Sequence, residues 1–312
     1  MMRLFDITEA RHFCRPLPAH VPGVGQSLAA FHNNIKAPRL TEGTPYFEAH
    51  RVSLLNSVER WILFGVADYR RALDMFVPSN APWAHVTLYY SSFFAANAIL
   101  GMFGAWVHYE RLVDVDKGIP NNQILRVSKR VLSPSGYKGS HRVFWDLFYE
   151  GCNAISPWVP NELQSATAPE NNDRIWQITA RNEVNYDMFS ALDGAIRLGN
   201  SFNPKKLRSL SGPLAQQLEV TEDMLKLAGH FANLFDVSSF AYEGLGTGTR
   251  AKILRAQVAK VPRVLLLNQC YRICYIRSAK AQGMSRYHLV CRDPLSPMAF
   301  MAASKSNMPK IV

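Results

Sequence analysis

Acidic residues are scarce where basic ones are dense. Residues 201–312 hold 6 Asp and Glu against 16 Lys and Arg, whereas residues 1–200 hold 18 against 19. Of the formal net charge of +11, the last third therefore carries +10. A field localised in this way draws a polyanion. A basic surface that only aids solubility, or one neutralised by an acidic protein partner, would leave the same imprint. Cysteine is sparse too. Cys14, Cys152, Cys270, Cys274 and Cys291 are an odd set spread over 312 residues. That argues against a disulfide framework and suits a reducing, cytoplasmic compartment. Uninterrupted apolar runs are also lacking. The most apolar stretch, LYYSSFFAANAILGMFGAWV from Leu88, is broken by Tyr, Ser and Asn, so it reads as a buried helix and no membrane partner is expected. The amino end MMRLFDITEARHFCRPLP shows no apolar core of a signal peptide. Repeats and low-complexity tracts are missing, which removes solenoids and prion-like chains from consideration.

What is there suits a globular chain with a real core: 48% hydrophobic residues, of which aromatics make up 11% of the whole, over a length comfortable for two domains. Residues 1–45, with CRPLPAHVPGVG, read as an extended arm. From Phe47 to about Phe76 apolar residues recur at helical spacing (Leu54, Val58, Trp61, Ile62, Val66 and Tyr69), and VPSNAP ends the run. A second helix begins near Trp83 and carries Tyr89, Phe93, Phe94 and Leu100 among small residues. A long polar connection from Gly104 to Gly139 follows. Ser140 then reads as the N-cap of a helix with Val143, Leu147 and Phe148 on its apolar face. DRIWQITARNEVNYDMFSALDGAIRLGNSF predicts another helix, capped by Asn172 or Asp173. SGPLAQQLEVTEDMLKLAGHFANLF predicts one more, or two short ones. No alternating run predicts a sheet before residue 236. The expected body is thus an all-α antiparallel bundle over residues 46–235, followed by a basic extension, 236–312, of α or α+β structure.

The segment ITARNEVNYDMF, residues 178–189, places Arg181, Asn182, Asn185 and Tyr186 opposite apolar residues on one helix. It is either a solvated face, with Arg181 paired to Asp173, Glu183 or Asp187 and Tyr186 at the rim of the core, or a polar site for phosphate or RNA. In the basic third, Cys270, Cys274, His288 and Cys291 are the right residue types for a tetrahedral zinc, but their spacing fits no common zinc motif. GLGTGT lacks the strand before it and the Gly-Lys-Ser/Thr after it that a phosphate loop requires. No cofactor is expected.

Three motifs together resemble the HEPN-domain family. LYYSSFFAANAIL resembles its hallmark helix of paired aromatics and small residues, GYKGSHRVFWDLF its Gly-Ser-His helix entry, and RNEVNY its late polar motif. The family motif in one branch is Arg, Asn, three variable residues and His; in another it ends in Asp-Tyr. This chain has Arg181, Asn182, Asn185 and Tyr186. The resemblance covers residues 47–235. It implies a helical bundle that works as a homodimer or in a larger complex, and a role in toxin or antiviral-defence systems as a metal-independent ribonuclease, a nucleic-acid binder or a scaffold.

Metal-free RNA cleavage needs a base for the 2′-hydroxyl proton, a cation at the phosphate and an acid for the leaving oxygen. Arg181 can grip a phosphate through its planar fork, and Asn182 can orient it. Tyr186, with an ordinary pKa of about 10, replaces histidine poorly. His141, at a helix start where the neutral ring is favoured, is either the substitute base or a surface histidine. The expectation is a nucleic-acid-associated subunit, RNA before DNA, with Lys205, Lys206, Arg208, Arg250, Lys252, Arg255 and Arg263 contacting phosphates. An endoribonuclease built on Arg181, Asn182, Tyr186 and His141 and a protein-only scaffold are the alternatives.

Overall fold

Thr44 opens the longest helix among the described residues. Its side-chain oxygen accepts the Phe47 amide at 3.3 Å, and Pro45 takes the first position, where its missing N–H costs nothing. This helix, α2, is Pro45–Asp74. The computed structural model describes residues 5–15, 39–76, 80–108, 111–116, 123–128, 135–168, 173–187 and 212–235, all within the first of two compact units, residues 1–256. Before α2 lie helix α1, Ile7–Phe13, and strand β1, Arg39–Thr41. After it come α3, Ala81–Met102; β2, Trp106–His108; β3, Arg111–Asp116; β4, Ile124–Ser128; α4, Ser140–Ile155; α5, Trp176–Tyr186; and α6, Pro213–Leu234. Two short 3₁₀ turns, Ser156–Trp158 and Asn161–Ala166, follow α4.

The described residues are mostly helical, as the sequence predicts. Helix α3 packs along α2 and also against α5 and α6. Small residues let α2 and α3 approach closely. Ser91 donates to the Gly65 carbonyl at 2.6 Å, and a Cβ added at Gly101 would lie 2.5 Å from a Val58 methyl. The apolar stretch from Leu88 is the centre of this core, with Leu88, Tyr89, Ala95, Ala96 and Ile99 sealed from solvent. Among the described residues no helix is long and apolar enough to cross a membrane.

A polar string threads the same core. The Gln217 amide donates to Ser92 at 3.2 Å and to Gln177 at 3.1 Å; Gln177 donates to the Tyr149 hydroxyl at 2.9 Å; Ser92 meets Thr221 at 2.8 Å. It links α3, α4, α5 and α6.

Three expectations need correction. Residues 39–128 contain a four-stranded antiparallel sheet, in the order β1-β4-β3-β2, where no strand was expected before residue 236. Its strands are three to six residues long, and the buried leucines Leu40, Leu112 and Leu125 sit singly on three different strands. Leu40 pairs with Leu125 across β1 and β4, so the apolar layer exists only after pairing. Second, the amino-terminal arm is not wholly extended. Asp6 caps α1, accepting the Thr8 amide at 2.9 Å, and Phe5, Ile7, Ala10 and Phe13 are buried. The buried Arg51 guanidinium donates to the carbonyls of Phe13 and Arg15 at 3.1 and 2.8 Å, fastening the end of α1 to α2. Third, the expected caps differ: the helix predicted from Asn172 or Asp173 starts at Trp176 with Ile175 in the cap position, and Ser140 is not a cap. Gly139, at φ 91, occupies that position, where a side chain would be strained, and Ser140 is already helical.

Candidate functional site

Arg181 lies half-buried on α5 and has no carboxylate partner among the described residues. The pairs envisaged with Asp173, Glu183 and Asp187 do not form; Asp173 instead accepts the Ile175 amide at 2.9 Å. Arg181 is held by neutral groups. Its Nη2 and Nε donate to Asn182 Oδ1 at 2.6 and 3.2 Å, and its Nη1 reaches the Tyr90 hydroxyl at 3.4 Å. The guanidinium carbon lies 5.2 Å from the centre of the Tyr89 ring, a cation–π contact. A paired arginine would have its charge answered inside the fold; this one does not.

His141 joins the same cluster from the second position of α4. Its ring stacks on Phe93 at 4.6 Å between centroids and lies edge-on to Tyr90 at 6.4 Å. Its Nδ1 is 2.6 Å from the Tyr89 hydroxyl, which also accepts from Trp145 Nε1 at 3.3 Å. Burial, and secondly the Arg181 charge, push the His141 pKa below the ordinary histidine value. Burial also drives the Tyr89 phenol well above its usual range, so its proton stays on. Among the described residues that proton has one acceptor in hydrogen-bond range, His141 Nδ1. Tyr89 therefore donates, and the neutral imidazole carries its own proton on Nε2. In this state His141 Nε2 is a hydrogen-bond donor with no partner among the described residues.

No family model, curated protein or solved structure matches the chain.

The start of α4 adds to the positive character. Lys138 and Arg142 are exposed and without ion-pair partners among the described residues. The first turn of α4 has no side-chain cap, so its leading amides are open to an anion, with the helix dipole in support. Of the residues expected from sequence, Arg181, Asn182 and His141 converge. Tyr186 does not join them: it ends α5 at 83% exposure, so it is neither a core residue nor a partner of Arg181. Sequence reasoning missed Tyr89 and Tyr90 as site residues, although their pairing was visible, and it passed over Lys138 and Arg142 on either side of His141. Among the described residues no three His, Cys, Asp or Glu side chains gather as a metal site. Lys205, Lys206, Arg208, Arg250, Lys252, Arg255, Arg263, Cys270, Cys274, His288 and Cys291 lie outside the described residues.

Proposed function

We propose that this chain is a HEPN-like nucleic-acid-binding subunit in which Arg181 and His141 grip a backbone phosphate, while the basic last third supplies long-range attraction. The observation that carries the reading is the half-buried Arg181 ringed by neutral partners. Its remaining N–H groups, His141 Nε2–H and the uncapped first turn of α4 are all donors, a set suited to oxyanion oxygens. The charge asymmetry, +10 of +11 after residue 200, supports the second half of the proposal.

The test is binding of single-stranded RNA by the full chain across a salt series. Arg181→Ala should weaken binding by roughly ten- to a hundred-fold, the worth of charge-assisted hydrogen bonds. Replacing Arg250, Lys252 and Arg255 together with alanine should lower the slope of log affinity against log salt by about one per lost contact. Unchanged affinity and slope in both variants would make a protein-only scaffold the better reading.

One observation favours the enzyme alternative: His141 and Arg181 do come together. A general base, however, needs the Nε2 lone pair, and Tyr89 holds the proton there. Incubation with total RNA in EDTA decides the point. Cleavage lost in both His141→Ala and Arg181→Ala would establish a ribonuclease.

A further inference from the structure

Tyr186 is the residue this reading leaves unused, and its position is specific. It closes α5 with 83% of its surface exposed, and its side chain makes no hydrogen bond or ring contact among the described residues. It follows Asn182 by four positions, so the two side chains are neighbours on one helix face, about 6 Å apart. Asn182 in turn holds the Arg181 guanidinium at 2.6 Å. A polar grip and an exposed aromatic ring thus lie about one helical turn apart on α5, with Arg181 and Tyr186 roughly 140° apart around its axis, so that they border the same stretch of helix from two sides.

We infer that Tyr186 is a stacking platform for an unpaired base, so that the site takes single-stranded nucleic acid in preference to a duplex. The inference rests on the phosphate-binding reading of Arg181. The unanswered guanidinium balances the single charge of one phosphodiester, and the adjoining base then lies within reach of the phenol ring. In a duplex every base face is already stacked on its neighbour, so only the phosphate grip would operate. Stacking on tyrosine is indifferent to sequence, because every base has a π face. The site would therefore discriminate strandedness and not sequence.

The experiment uses the full chain and three ligands of equal length: oligoadenylate, an abasic ribose-phosphate chain and a blunt RNA duplex. Tyr186→Ala should lose roughly five- to a hundred-fold in affinity for oligoadenylate, the range for one stacked base, and nothing for the other two. Tyr186→Trp should restore binding, with its added indole fluorescence quenched by oligoadenylate alone. Arg181→Ala should weaken all three. If Arg181→Ala weakens binding and Tyr186→Ala changes no ligand, or weakens all three alike, the platform is refuted and the phosphate grip stands. If Tyr186→Ala acts as expected while Arg181→Ala is silent, the phosphate grip fails and the stacking surface stands by itself. The exposed position of Tyr186 means that neither substitution there disturbs the fold.

Discussion

Replacing Tyr89 with phenylalanine tests the tautomer that separates a binding site from a catalytic one. The ring remains, so packing against Phe93 and Trp145 is preserved; only the hydroxyl goes. Two hydrogen bonds are lost, at 3.3 Å from Trp145 Nε1 and at 2.6 Å to His141 Nδ1. They differ in consequence. Trp145 is fully buried, so its indole N–H is left without an acceptor in a dry environment. His141 is only half-buried, and water can replace the lost donor. An unsatisfied buried donor costs about 1–3 kcal/mol, and the long 3.3 Å bond places this one toward the lower end. The phenol proton stabilises the neutral imidazole, so its removal should raise the His141 pKa. Burial and Arg181 persist, and the value should stay below that of an ordinary histidine. Denaturant unfolding followed by tryptophan fluorescence measures the first effect. Nitrogen chemical shifts of the His141 ring measure the second, as a shift from proton on Nε2 toward a mixture of tautomers. Stability unchanged to within about 0.5 kcal/mol, together with an unchanged tautomer, would refute the assignment of Tyr89 as donor.

Three further outcomes are expected. Gly151→Ala puts a methyl 2.7 Å from the Phe5 ring, so Phe5 must leave its seat; limited proteolysis should then cut near α1 sooner than in the unchanged protein. His85 is buried, with Nε2 unpartnered and its pKa lowered by burial to about 4. The unfolded chain takes up this proton first as pH falls below about 6.5, so the His85 contribution, present above that pH, is lost down to about 4, an amount of about 3 kcal/mol. Unfolding free energies of His85→Leu should show a correspondingly shallower fall over that window. Arg174 pairs with the buried Asp146 at 3.1 Å and with Glu150 at 2.6 Å, and Asp146 also accepts the Ser135 amide and hydroxyl at 2.8 Å. Arg174→Met should cost about 2 kcal/mol by thermal or chemical unfolding, held below the full buried-pair value by the Ser135 bonds and by the partial exposure of Arg174.

Helix α2 was legible because Leu54, Val58, Trp61, Ile62, Val66 and Tyr69 recur over several turns before VPSNAP, and α3 because its apolar stretch is too long for a strand. The sheet was not, since a strand with a single buried leucine carries no period to read. Its core forms only when Leu40 meets Leu125 across more than eighty positions of chain. The site divides in the same way. Arg181, Asn182 and His141 were visible as residue types on helices, but the freedom of Arg181 from carboxylates was not, because three acidic residues lay close enough in sequence to answer it. The role of Tyr89 depends on α3, α4 and α5 packing together, and only the folded chain supplies that.

The polar string through the core has a further consequence for α3. Apolar and small residues cover nearly the whole circumference of that helix, so burial alone is almost indifferent to how it is turned about its own axis. Ser92 and Thr221 break the degeneracy: one angular setting satisfies their hydroxyls, and others strand them in a dry interior. The string acts as a keyway, trading some cohesive energy for a single orientation. What it orients is the Tyr89–Tyr90 pair, three and two residues before Ser92 on the same helix, so the aromatic floor under Arg181 is set by amide and hydroxyl groups that form no hydrogen bond with Arg181 or His141.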